Sequence, residues 1–399
     1  MAAALIDPYW NDWLDLLIRW LHVIAGIVWI GTSFYFVALD NHLGRPREQR
    51  DVDDEGVGGE SWEIHGGGFY RISKWTVAPQ ELPEPLHWFK WEAYTTWLSG
   101  FALLVVLYYL DAETYLIDPS VRDITPGAAI TLSLLGLGAA WVLYDLACRV
   151  IRIEALMAVF LFGLVVASAY AASEVFSGRA AYLQVGAMLG TIMAANVLFN
   201  IIPAHWELIR AKERGETPDP APGLEAKRRS VHNNYLTLPV VFTMISNHFP
   251  FTYGHDQGWL ILVALVVIGA WVRHFFNLRH AGRNAWWIPV TAAAAVVALA
   301  IAIRPDEGGG GGSAERVTAQ EAQAIVQQRC VPCHSEEPMQ EGFETAPGGV
   351  TFDTVEETEA QADAIKAQAV DSNAMPLGNT TGMTDEEREQ LGAWIDSLE

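Results

Sequence analysis

The residues whose types and spacing carry the plainest chemistry lie near the end of the chain, in the run Cys330-Val331-Pro332-Cys333-His334. Two thiols one helical turn apart can each bond a haem vinyl group, and the His that follows is placed to become the proximal iron ligand. This is the attachment spacing of c-type haem. A bare pair of cysteines at this spacing also suits a thiol redox pair or half of a zinc site. Those alternatives need a thioredoxin-like strand context or a second ligand pair, and the sequence offers neither. The remaining cysteine, Cys148, sits in an apolar segment and reads as a small buried hydrophobe. A c-type haem passes one electron at a time, so the motif predicts a chain that handles electrons.

The sixth iron ligand is expected from the stretch beyond the motif, where a soft thioether would raise the haem potential. Met339 lies too near His334 to reach the opposite haem face, and Met383 abuts the final helix. Met375 is better placed, because Pro376 stiffens the loop that must hold its sulfur. The predicted metal ligands are therefore His334 and Met375, with Cys330 and Cys333 as the covalent attachment. The elements that position them are legible as capping boxes. Thr318 with Glu321 opens a helix that runs into Cys330, and Thr384 with Glu387 opens one carrying Leu391, Trp394, Ile395 and Leu398 at helical spacing. Two helices packing at a haem edge predict a small all-α cytochrome c domain over 315–399.

Charge divides the chain. Of the net −22, residues 306–399 hold −16, leaving −6 to residues 1–305. The acidic C-terminal part argues against nucleic acid and for solubility or docking to a basic partner, such as a soluble cytochrome c or an oxidase face. A glycine-rich stretch, 306–314, reads as a flexible linker. Upstream, residues 1–305 contain eight apolar stretches near the length that spans a bilayer. They centre on Leu14–Leu39, Trp88–Leu110, Gly127–Leu146, Glu154–Ala172, Ala181–Ile202, Val231–Phe249, Trp259–Phe276 and Trp286–Ile303. The predicted fold is mainly α: an eight-helix transmembrane bundle followed by the cytochrome domain.

Arg and Lys concentrate in the loops after the first, third, fifth and seventh stretches, and the alternate loops offer Arg122 and Arg179. The positive-inside rule then puts the N-terminus outside and returns the C-terminus outside after eight spans. That is the compartment where bacteria attach c-type haem. The expectation is a multi-pass bacterial inner-membrane protein with its cytochrome in the periplasm. The first apolar stretch is too long, and lacks the basic start, for a cleavable signal peptide.

Ionisable groups inside spans are costly and usually functional. His22 falls near mid-membrane in the first span, and His248, beside Asn247, falls at the periplasmic end of the sixth. Arg273, His274 and Asn277 lie toward the cytoplasmic end of the seventh, as do His205 and the run His232-Asn233-Asn234 near that face. Asp145 and Arg149, and Asn196 and Asn200, are pairs one turn apart that suit helix pairing. Between the first two spans, His65-Gly66-Gly67-Gly68 interrupts a strand-like alternation and predicts a cytoplasmic hairpin within about 60–87. It is followed by Leu86-His87-Trp88-Phe89-Lys90-Trp91-Glu92.

The eight-span organisation, Trp20-Leu21-His22 through Asp40-Asn41-His42, the stretch Leu86–Tyr94, and the haem motif with Met375-Pro376-Leu377-Gly378 together resemble the membrane-bound cytochrome c urate oxidase (urate hydroxylase) family. The acidic insert Asp51–Glu60 is longer than that pattern. The resemblance implies oxidation of urate to 5-hydroxyisourate in purine catabolism, with electrons passed through haem c to a respiratory cytochrome c or terminal oxidase. Urate is a planar monoanion, so its site should combine aromatic stacking with fixed donors or a cation. Candidate catalytic residues are His22 and His248 on the membrane and outer side, with Asn247, and Lys90 and Glu92 on the cytoplasmic side, with His65, Arg71 and His87. A cytoplasmic site would need a further carrier in the bilayer, for example haem b held by histidines such as His22. The competing class is a non-catalytic, membrane-anchored electron-transfer subunit.

Overall fold

The computed structural model describes residues 8–45, 56–304, 317–340 and 343–398. The predicted linker lies outside these residues, as does the first half of the acidic insert, 51–55. Helix α1 (Pro8–His42) leads to an antiparallel hairpin of β1 (Val57–His65) and β2 (Gly68–Trp75). Helix α2 (Trp91–Leu104) continues through a π-helical turn, Val105–Tyr109, into the single turn α3 (Ala112–Tyr115). Then come α4 (Pro126–Val150), α5 (Glu154–Ser173) and α6 (Gly178–Asn196), which passes through a second π turn, Val197–Ile201, into α7 (Ile202–Glu213). Helix α8 (Ala221–Ile245), the short α9 (Pro250–Tyr253), α10 (Gly258–His280) and α11 (Trp287–Ala302) complete the bundle.

Local chemistry sets the helix starts. Thr125 accepts the Ala128 N–H at 3.4 Å ahead of Pro126 in the first turn of α4, and Ser177 does the same for Ala180 in α6. The interior is built around α6, whose Tyr182, Val185, Met188, Leu189, Ile192 and Met193 are all buried against neighbouring helices. The outside is as apolar as the inside: Val159 and Val290 are each 67 % exposed and Ile301 70 %. Contiguous exposed apolar surface of this kind suits a lipid solvent rather than water.

Five helical stretches are long and apolar enough to cross a membrane: Tyr9–His42, Pro126–Val150, Glu154–Ser173, Gly178–Glu213 and Gly258–His280. The eight spans expected from the sequence are thus five by this measure among the described residues. The other three expected positions are helical but differ in length or polarity. Trp88–Leu110 becomes helical only at Trp91 and opens with a polar half. Val231–Phe249 falls within α8, whose first turns carry Lys227, Arg228 and Arg229, and the segment leaves helical geometry after Ile245. Helix α11, at 16 residues, rises about 24 Å against a hydrocarbon core of about 30 Å.

The C-terminal unit contains α12 (Ala319–Arg329), α13 (Val355–Ala360), α14 (Ala362–Ile365) and α15 (Asp385–Asp396). The capping boxes read from Thr318 and Thr384 are both formed, and a third forms at Thr354 with Glu357. Val326 of α12 meets Leu391, Trp394 and Ile395 of α15 in one apolar core. Arg329 and Glu387 lock the same two helices with an ion pair at 2.9 Å.

This unit docks against one end of the bundle. The Asn373 N–H donates to the Gly254 carbonyl at 3.0 Å, and Gly378 rests on the carbonyls of Thr114 and Ile117. The opposite end carries the hairpin, tied down by Lys74 and Lys227 on Asp40. The helices run between a docked end and a hairpin end.

Candidate functional site

The motif residues fall where α12 stops. Cys330 caps that helix, the His334 N–H donates to the Cys330 carbonyl at 2.9 Å, and both cysteines are free and half-buried. Burial, with Cys333 beside it, pushes the Cys330 thiol up to about 12. A neutral, desolvated thiol is a poor redox nucleophile, which argues against a thiol exchange pair. His334 Nδ1 lies 3.0 Å from the Val350 carbonyl. A carbonyl only accepts, so Nδ1 carries the proton and Nε2 is left as the lone-pair nitrogen, the tautomer an iron ligand requires.

Met375 packs against the same apolar core as Cys330 and Val350. Its loop is held twice: the Met375 N–H donates to the Gln368 carbonyl at 2.9 Å, and Arg388 Nη1 donates to the Met375 carbonyl at 2.7 Å. Met339 is 80 % exposed, whereas Met383 is buried in the core. The residues present therefore fit a haem c, which Cys330 and Cys333 would attach and to which His334 and Met375 would offer a nitrogen and a sulfur donor. Leu377 and Gly378, next in the same loop, form the docked surface, with Tyr108, Tyr115 and Tyr253 beneath it around Arg179.

The sequence-predicted catalytic residues are spread along the bundle. His22 Nδ1 donates to the Thr96 carbonyl at 3.0 Å, with Ser99 Oγ at 3.1 Å, and its ring presses on Gly100, where a Cβ would lie 2.8 Å from Cε1. The partner that a mid-membrane imidazole needs is the wall of α2. Lys90 sits at the hairpin end between Trp88 and Trp91, at 5.3 and 5.6 Å from the ring centres, and Trp88 stacks on Trp206 at 4.8 Å. Glu92, in the first turn of α2, has a buried Oε2 without a partner. His248 is exposed in the 3₁₀ turn Ser246–His248 beyond α8, at the docked end. That is the opposite end of the bundle from Lys90. His65 and His87 are exposed, and Arg71 is paired with Glu60 at 2.9 Å.

Two buried polar groups lie toward the hairpin end. The first is compensated in charge. Arg229, 1 % exposed, contacts Asp145 at 2.9 Å, Glu225 at 3.1 Å and Asn196 at 3.1 Å. Asn196 also donates to Tyr144 and Asn233. His232 links the Tyr144 hydroxyl at 2.8 Å to Glu154 at 3.0 Å. Every charge here has a counter-charge, as a structural network requires.

The second group is open. Arg273, 2 % exposed, donates from Nε to Asn234 Oδ1 at 2.9 Å and covers the Phe34 ring at 3.8 Å. Arg273 Nη2 and Asn234 Nδ2 are both buried with no partner, and so are Asn277 Oδ1 and His280 Nδ1. Arg273, Asn277 and His280 stand at i, i+4 and i+7, so they share one face of α10. That face meets α1, with Phe34 under Arg273 and the His42 ring 5.6 Å from His280. His42 also lines a cleft of about 670 Å³ with Tyr35, Arg45, Glu60 and Glu63, between α1 and the hairpin. The sequence marked Arg273, Asn277 and Asn234 as polar groups near one face; the signal for more was an Arg inside an apolar span with no acid one turn away.

Comparison with known proteins bears on the bundle. No curated protein matches the chain, and no solved structure does. The family model described as urate oxidase N-terminal matches residues 8–304, from the start of α1 to just past α11. With most of its length under that one model, the chain belongs to the urate oxidase N-terminal family.

Proposed function

We propose that this protein is a membrane urate oxidase: it converts urate to 5-hydroxyisourate in the helical bundle and releases the electrons through a haem c on the C-terminal unit. The observation that carries the reading is the union, in one chain, of the urate oxidase N-terminal match and the Cys330, Cys333, His334 and Met375 arrangement docked on the matched bundle. In the proposed orientation the docked end faces the periplasm of a bacterial inner membrane, where c-type haem is attached, and the basic hairpin end faces the cytoplasm.

The reaction balances as urate plus water giving 5-hydroxyisourate, two electrons and two protons. Oxygen enters from water at C5, so the electron acceptor need not be dioxygen. Cys330 and Cys333 would hold a haem c covalently, and that group would supply one-electron transfer toward a respiratory cytochrome c or terminal oxidase. His334 supplies an Nε2 lone pair because Val350 holds the proton on Nδ1. Arg388 holds the Met375 loop through its carbonyl, which keeps the thioether in place. The acidic surface of the unit suits a basic acceptor.

The test is urate consumption by membranes carrying the full chain, followed with a respiratory acceptor present. Cys330→Ser with Cys333→Ser should abolish both the haem c spectrum and urate loss. Urate loss that persists in the double variant would refute haem c as the electron exit, and its absence in the wild type would leave an electron-transfer subunit. A pyridine haemochrome spectrum of the wild type also shows whether haem b accompanies haem c.

A further inference from the structure

We infer that Arg273 and Asn234 form the anion-binding element for the planar heterocyclic substrate, reached from the hairpin end past His42 and His280; this rests on the urate reading above. A guanidinium taken out of water requires a counter-charge or a full set of acceptors. Arg229 has both, three contacts including two carboxylates. Arg273 is equally buried, has one acceptor in Asn234, and meets no carboxylate among the described residues. Of the two buried arginines among the described residues of the bundle, Arg229 is compensated by carboxylates and Arg273 is not.

The orientation of Asn234 is fixed by this contact. Arg273 Nε–H can only donate, so the amide must present Oδ1 to it, and its Nδ2 donors turn elsewhere. Nε–H and one Nη2–H lie on the same edge of the planar guanidinium, so an Nη2 donor next to the Asn234 contact is left unused, as are the amide's own donors. Both lack a partner. An anionic substrate edge that offers an oxygen or ring nitrogen to each would satisfy both. Asn277 Oδ1, one turn toward the hairpin end, offers an acceptor that suits a ring N–H. Donors and an acceptor in one place, with the guanidinium held flat on the Phe34 ring, fit an ion that carries carbonyls and N–H groups along its edge. A sulfate or chloride, with no donor of its own, would leave the Asn277 acceptor unused. Arg273 lies about 10 Å from the His280 level by helical rise, and the His42 contact there adjoins the 670 Å³ cleft, whose size is that of a small-molecule site.

Asn234→Asp tests this without opening the core. The aspartate supplies the missing counter-charge to Arg273, so the fold should hold or gain stability while the place for an incoming anion is filled. Urate binding is measured on full-length protein with its haem chemically reduced, which prevents turnover. Binding should weaken about hundredfold or more in Asn234→Asp, the scale for filling or breaking a buried charged contact. Arg273→Lys keeps the charge but loses the two-donor edge, so its binding should weaken roughly tenfold. The unfolding temperature of each variant checks the fold. Unchanged binding in both variants, with urate-dependent haem reduction intact, overturns the inference alone. A wild-type chain that binds no urate overturns the functional reading and the inference together.

Discussion

Gly378→Ala is the sharpest probe of how the two units meet. Gly378 has φ +57°, and an added Cβ would stand 2.6 Å from the Thr114 carbonyl oxygen and 2.9 Å from that of Ile117. Both obstacles are backbone, so no flexible side chain can swing away. The closer contact is about 0.9 Å short of ordinary van der Waals separation. An opening of that size would carry the Asn373–Gly254 bond, now 3.0 Å, out of hydrogen-bond range. Losing that bond costs about 1 kcal/mol and the overlap a similar amount, so docking should weaken by roughly 2 kcal/mol, or about thirtyfold. Left-handed strain from the alanine adds to this but acts on the turn itself. Gly382→Ala separates the two effects. It has φ +67° and meets nothing nearer than Arg329 Nη1 at 3.8 Å, so it carries similar backbone strain without the collision. The assay is amide hydrogen exchange of the full-length protein over Ser372–Ala374. Exchange should accelerate by tenfold or more in Gly378→Ala and change little in Gly382→Ala. Equal exchange in the two variants would refute the argument that this loop bears on the bundle.

Other outcomes follow from the same geometry. Met375→Ala should abolish the Met-to-iron charge-transfer absorbance of the holoprotein, whereas Met339→Ala, at an exposed site, should leave it unchanged. The Glu387 carboxyl is raised by burial, but bonds from Arg329 and the Thr384 N–H outweigh that and hold it below its ordinary 4.5. The folded state therefore binds that proton less readily than the unfolded chain, and Glu387 stabilises the unit above about pH 4.5. That contribution is lost as pH falls through the lower folded value. Acid unfolding of the C-terminal unit should thus be shallower in Glu387→Gln, and an identical pH profile would contradict the assignment. Arg229→Met leaves Asp145 paired with Arg149 alone and removes the Glu225 and Asn196 contacts, so unfolding should become easier by about 2 kcal/mol, measured as a lower midpoint in detergent.

The C-terminal unit was legible because its signals are local. A five-residue motif, two capping boxes and a proline after Met375 each act over a few residues, and the helices form where those caps stand. The helix positions in the bundle were legible for the same reason, since apolar length is a local property. The number of helices long and apolar enough to span was not, because Arg228 and Arg229 in α8 look like loop charge in a hydropathy reading and prove to be helical, with Arg229 buried. His22 needed a partner, but sequence could not say that the partner would be a backbone carbonyl in α2. The Arg273 group depended most on tertiary structure. It joins Phe34, Asn234 and Arg273 from three helices far apart in the chain, and what singles it out is a missing counter-ion. Sequence shows that a buried charge exists, not whether a neighbour neutralises it.

Anaerobic mixing of urate with the oxidised full-length holoprotein tests the central claim most directly. Oxidation of urate releases two electrons and haem c accepts one, so about two haems should show reduced bands per urate consumed. A haem that dithionite reduces but urate leaves oxidised would contradict the account.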